Sequence, residues 1–145
     1  MSREIKFRGK SKRTGQWIYG DLLTSPNGLL KYIVQKSKFN RAFLKNLAPE
    51  EVEYGSDGEY TGRKDCKGKE IYEGEIVFDG FVNKIIVWRE GSWQLQRDYS
   101  FTEDDKEHKG THYSTLWMWT GETNNAIRVI GNLFENPELL EDKNV

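Results

Sequence analysis

The sequence predicts a mainly β protein of many short strands, with helix confined to two short pieces. Three observations lead there. Turn chemistry recurs from end to end, apolar and polar residues alternate with period two between most turns, and helical signals are confined to residues 38–47 and the stretch after Asn136.

The elements follow in order. Glu4 to Arg8 alternates so that Ile5 and Phe7 share one face of a strand. Gly9 to Gly15 turns the chain into Trp17–Leu23, giving a hairpin. Ser25-Pro26-Asn27-Gly28 is a strong turn, after which Leu29 to Val34 forms a third strand. Phe39, Ala42, Phe43 and Leu47 recur at near-helical spacing and predict one or two helical turns ending before Pro49. Glu50, Glu51 and Glu53, followed by Gly55-Ser56-Asp57-Gly58, change both charge sign and chain flexibility. They divide the chain into a basic meander, 1–55, and an acidic part, 56–145, packed together or merged in one compact domain.

The acidic part opens on Glu59 to Val77, which holds strand, turn, strand, turn and strand signals within nineteen residues. Val82 to Trp88 is a strand with Ile85 and Val87 on one face, Ile86 and Trp88 on the other. Ser92 to Gln96 returns as its hairpin partner. Residues 97–110 are charged and read as a loop, Thr111–Thr120 as an aromatic strand, Gly121 to Asn125 as a turn, and Ala126 to Leu133 as the last strand. Asn136-Pro137-Glu138 reads as the start of a short C-terminal helix, with Asn136 as N-cap and Leu139 and Leu140 as anchors. This density of short strands favours a small barrel or sandwich. Glu73-Gly74-Glu75-Ile76-Val77 is similar to a segment that opens many SH3-like barrels.

Composition sets limits on function. Among 145 residues, 31% are charged, yet 13% aromatics with five Trp supply enough apolar area for a core. No apolar run approaches the roughly 18 residues of a membrane span, and the first residues lack a signal-peptide core, so the expectation is a cytoplasmic protein without membrane contact. The single cysteine, Cys66, sits in a turn and forms neither an intrachain disulfide nor a cysteine-rich zinc site. Residues 1–48 hold 11 Lys+Arg against 2 Asp+Glu and the remainder holds 11 against 21, so charges of +9 and -10 face each other across a chain of net charge -1. Such halves either attract one another or separate into a basic nucleic-acid face and an acidic remainder.

Ile5-Lys6-Phe7-Arg8, the block from Tyr60-Thr61-Gly62 through Asp65 and Gly68 to Tyr72, Gly74 and Val77, and Val129-Ile130-Gly131-Asn132 with Asn136-Pro137 resemble the YopX family in the same order along nearly the whole chain. The resemblance implies a β-rich phage or prophage protein containing an SH3-like barrel and acting in the bacterial cytoplasm. It implies no activity and no catalytic residues, and leaves Tyr60, Gly62, Asp65, Gly68, Tyr72, Gly74, Gly131, Asn132 and Pro137 as structural signature positions. Arg63, Cys66 and Glu75 depart from the family's usual residues.

Site candidates are few. His108 and His112, four apart behind a run of acids, read as a solvated loop and not as a metal pair. Glu70, Glu73, Glu75 and Asp79 would suit metal-dependent phosphodiester chemistry only if gathered together, and their turn and strand positions argue for solvated faces. No phosphate-binding loop, dinucleotide fingerprint or nucleophile motif occurs, so neither an enzyme nor a cofactor is expected. Lys6, Arg8, Lys10, Lys12 and Arg13, interleaved with or followed by Phe7, Trp17 and Tyr19, form the one candidate surface, for a protein partner, for self-association in a homo-oligomer or for nucleic acid.

Overall fold

The computed structural model describes residues 3–35, 48–121 and 124–141. The helical turns expected at 38–47 lie outside these. The chain divides into two compact units, 1–62 and 63–145. The sequence boundary at 55/56 falls inside the first of them, because the segment after it pairs with the first strand, Phe7 opposite Glu59 and Arg8 opposite Gly58.

In the first unit, β1 (Phe7–Lys10), β2 (Trp17–Thr24), β3 (Lys31–Val34), β4 (Glu50–Glu51) and β5 (Gly58–Lys64, whose last two residues belong to the second unit) lie in the order β4-β3-β2-β1-β5. Each described ladder is antiparallel. The Ser25–Gly28 turn is closed by the Gly28 N–H to Ser25 C=O bond, and the Asn27 side chain accepts from the Leu29 N–H. Ile18, Ile33 and Val52 make the core, flanked by Phe7 and Leu22. Burying each aliphatic side chain is worth about 1.5–3 kcal/mol, so this small cluster is the unit's main apolar driving force.

The second unit contains β6 (Glu70–Tyr72), β7 (Glu75–Phe78), β8 (Asn83–Arg89), β9 (Ser92–Glu103), β10 (Lys106–Thr115), a helical turn α1 (Leu116–Trp119), β11 (Thr120–Gly121), β12 (Asn124–Asn125) and β13 (Arg128–Asn132). Five strands form one antiparallel sheet, β10-β9-β8-β7-β13, with a bulge between Val129 and Gly131. Its core gathers Ile71, Val77, Ile86, Trp93, Leu95, Leu116 and Ile127. The fold is thus mainly β, as the sequence predicts. Among the described residues the two outermost strands, β10 and β13, are not paired with each other, so the ladders themselves do not close a ring.

Three local expectations need correction. Residues 97–110 are no loop: β9 and β10 run on as a long hairpin whose two-residue tip, Asp104-Asp105, has φ of 50° and 59° at its two positions. Acidic side chains hid it, because an exposed ribbon has no buried face to impose alternation. The strand expected over Thr111–Thr120 ends at Thr115, where the chain winds through α1 so that Leu116 enters the core and Trp117 points to solvent. Trp88 is half exposed although Ile86, on the same side of β8, is fully buried. It packs edge-on against Trp93, with ring centroids 4.9 Å apart. The C-terminal helix is a single 3-10 turn, Pro137–Leu140, and Asn136 caps it without a side-chain bond. That amide instead accepts from the Asn132 N–H.

Candidate functional site

The signature segment is a set of turns tied by backbone hydrogen bonds. Asp65 is nearly fully buried, and its Oδ1 accepts from the N–H groups of Lys67 and Lys69, both at 2.9 Å. Its Oδ2 accepts from the Val129 N–H at 3.0 Å, while the Cys66 N–H donates to Ile127. One carboxylate therefore shapes its own turn and fastens it to the last strand, 64 residues on. Gly68 closes this turn, Gly74 closes the next, and with Gly62 they hold φ near +80°, a conformation costly for any residue with a Cβ. Gly74 also donates to Ile86 and accepts from Leu133. Tyr72 N–H donates to the buried Glu75 carboxylate, and Tyr60 N–H donates to Lys6 C=O in the first unit.

Gly131 serves a different purpose. A Cβ there would lie 2.6 Å from Asn136 Oδ1 and 2.8 Å from Leu139 Cδ1, so the 3-10 turn rests directly on bare backbone. Asn132 bonds Glu135 through both side-chain atoms, and Pro137 begins the turn. Gly131→Ala is expected to destabilise the second unit by about 1–3 kcal/mol through overpacking, read as a lower urea midpoint. These signature positions are structural in their observed contacts.

The five basic candidates do not form an open cationic stripe. Arg8 is buried, its guanidinium 4.5 Å from the Trp17 ring centroid. Lys6 lies 3.3 Å from Glu4 and over the Tyr60 ring. Lys12 pairs with Glu51 at 2.9 Å, and Arg13 sets Nε and Nη2 on one oxygen of Glu50 at 2.9 and 2.7 Å. The Lys10 N–H donates to Ser56. Glu51 raises the Lys12 pKa, through its hydrogen bond first and its charge second. Arg3 with Glu59 and Lys31 with Asp57 complete the pattern, so the opposed charges of the sequence meet inside the first unit. The open cavity of about 650 Å³ there is lined by both partners of the Lys12–Glu51 and Arg13–Glu50 pairs. Clustering on β1 and its flanks exposed these cations to sequence reading; the acids that pair with Lys12 and Arg13 arrive from β4, which alternation alone did not register.

The acidic quartet also disperses. Glu75 bonds Tyr72 N–H, and Asp79 forms a buried ion pair with Lys84 at 2.9 Å. Burial pushes the Asp79 carboxyl up, but the Lys84 ammonium and the N–H groups of Val82 and Phe81 together outweigh it and hold the carboxyl below the usual range. Lys84 in turn stands 4.5 Å from the Trp119 ring centroid. Among the described residues no three His, Cys, Asp or Glu gather as metal ligands. Nothing in the sequence signalled the Asp79–Lys84 pair beyond a lysine in an otherwise apolar strand.

His108 and His112 lie on β10, not in a loop. Cross-strand pairing sets His108 opposite Phe101 and His112 opposite Arg97. The Phe101 ring stacks on His108 at 4.9 Å and on Tyr99 at 6.2 Å, and Tyr99 covers Gly110. Tyr99 and Phe101 are about half exposed, so one face of the ribbon presents a stacked aromatic row. β8 pairs with β9 only from Ser92 to Gln96, which leaves the ribbon beyond Arg97 unsupported by a third strand among the described residues.

Residues 6–141 match the family model described as YopX protein. The chain is a member of the YopX family. This YopX-family chain is also similar in fold to protein EF1440 from Enterococcus faecalis, whose crystal structure aligns over 97% of this chain and 100% of that one with a TM-score of 0.50 and 20% identity. No curated protein matches it. In the YopX-family chain no helix among the described residues is long and apolar enough to cross a membrane.

Proposed function

We propose that this YopX-family chain is a non-catalytic phage or prophage accessory protein of the bacterial cytoplasm that works by binding protein, either another copy of itself or a host or phage protein. The observation that carries this reading is the pairing of the basic strand with carboxylates. Lys12 and Arg13 are held by Glu51 and Glu50, and Arg8 is buried against Trp17. Nucleic acid would have to displace those acids, and each exchange forfeits an ion pair for every phosphate gained. Exposed apolar side chains occur on both units, among them Leu29 and Tyr54 in the first and Tyr99, Phe101, Trp117 and Met118 in the second. A β-rich surface of that kind suits strand addition or aromatic docking by protein.

Fluorescence anisotropy with labelled single- and double-stranded DNA and RNA at about 150 mM salt tests the choice. The expected result is no binding tighter than about 100 µM for wild type. Micromolar binding, steeply salt-dependent and abolished by replacing Lys6, Lys10, Lys12 and Arg13 with Glu, would establish the nucleic-acid reading instead.

A further inference from the structure

We propose that the outer edge of β10 pairs antiparallel with β10 of a second copy, about a two-fold axis through His108. The inference rests on the protein-binding reading above and names the partner and the surface.

The ribbon itself supplies the first argument. From Asp98 to Thr111 it is two strands with solvent around nearly every side chain. An isolated two-stranded hairpin is marginal in water, and a third strand or a packed face is what ordinarily stabilises one. β10 is the terminal strand of its sheet along its whole length, whereas β8 already occupies the base of the other edge.

Register supplies the second. Positive φ at Asp104 and Asp105 marks a type I′ turn, so Glu103 and Lys106 are the hydrogen-bonded pair that closes the hairpin. Alternation then aims the backbone groups of Lys106, His108 and Gly110 at β9, and those of Glu107, Lys109 and Thr111 at the open edge. A two-fold pairing must match these outward residues with one another. Centred on His108, it sets Glu107 opposite Lys109 twice, giving each a cross-copy partner beside the ion pair they form within their own strand at 3.1 Å. Centred one step away, on Lys109 or on Glu107, it would set that residue against its own copy and oppose like charges. The strand is thus self-complementary in one register, the condition for an isologous interface.

The experiment is sedimentation of the full chain. The edge is short, so wild type is expected to dimerise in the micromolar range. E107K sets a lysine against Lys109 of the second copy, and K109E sets a glutamate against Glu107. Each alone is expected to be monomeric at about 50 µM, at least tenfold weaker than wild type. The double variant E107K/K109E restores both opposed pairs and the dimer, and mixing the two single variants yields a heterodimer. Circular dichroism confirms that the single variants remain folded. Wild-type mass unchanged in the single variants overturns the edge pairing while leaving self-association intact. A wild-type monomer at about 200 µM overturns the inference and leaves a foreign protein as the partner. Loss of dimer without rescue in the double variant or the mixture also overturns it.

Discussion

Asp65→Ala is expected to lower the unfolding free energy of the second unit by about 3 kcal/mol or more, since three backbone N–H groups lose a charged acceptor and two links in the chain lose their anchor. Asp65→Asn separates the contributions. Its amide keeps one oxygen for Lys67 and Lys69 but turns an NH2 toward the Val129 N–H, so a loss of about 1–3 kcal/mol is expected, with faster hydrogen exchange at Val129. Lys67→Ala, an exposed neighbour in the same turn, is expected to stay within about 0.5 kcal/mol. Urea unfolding of the three variants checks the order. An Asp65→Ala variant within about 1 kcal/mol of wild type would show that the turn is held by something other than this carboxylate.

The second large effect belongs to Asp79 and Lys84. Asp79→Ala leaves an almost fully buried ammonium with only the Trp119 ring for company, which costs about 3–5 kcal/mol. Lys84→Met strands the carboxylate, though Phe81 and Val82 still donate to it, so its cost is expected to be smaller. The double variant Asp79→Asn, Lys84→Met removes both charges and is expected to be more stable than Asp79→Ala alone, the signature of a coupled buried pair. The pH dependence has a definite sign. Asp79 has a lowered pKa in the folded protein, so its contribution is complete above the ordinary aspartate range near pH 4 and is lost as pH falls through the folded-state value. Acid unfolding of Asp79→Asn is therefore expected to lack part of the slope that wild type shows below about pH 4. Identical slopes would remove the pair from the acid response.

Much of the fold was legible from sequence, for reasons visible at particular residues. Trp17–Leu23, Ile85 with Ile86, and the turn at Ser25-Pro26-Asn27-Gly28 carry their own signals, because alternation and turn preference act over a few neighbours. What stayed hidden depends on distant partners. Asp65 stood out only as a signature position of the family resemblance, although an aspartate three positions before a glycine is the local mark of a turn whose side chain accepts backbone bonds. Its grip on Val129 has no local mark at all. The ribbon at 97–110 was lost to its charges, since exposure on both faces erases the period that reveals a strand. The aromatic run ending at Trp119 read as strand throughout, but its last four residues form a helical turn that carries Leu116 into the core. Of the basic candidates, Arg8 and Lys10 lie on β1 and Lys12 and Arg13 in the turn after it, while the acids that meet the last two sit some 40 residues later, at Glu51 and Glu50.

The reach of the Asp65 carboxylate has a consequence for biogenesis. The first unit completes its described ladders with β5, so it is expected to assemble while the second is still being synthesised. The second cannot finish early: β7 waits for β13 as its neighbour, and the Asp65 turn waits for Val129. Pairings so distant in sequence carry a loop-closure cost before they return any stability, which makes them slow. During that interval the β7 edge and Ile71 are left uncovered, and a nascent chain stalled before Arg128 is the species most exposed to proteases and chaperones.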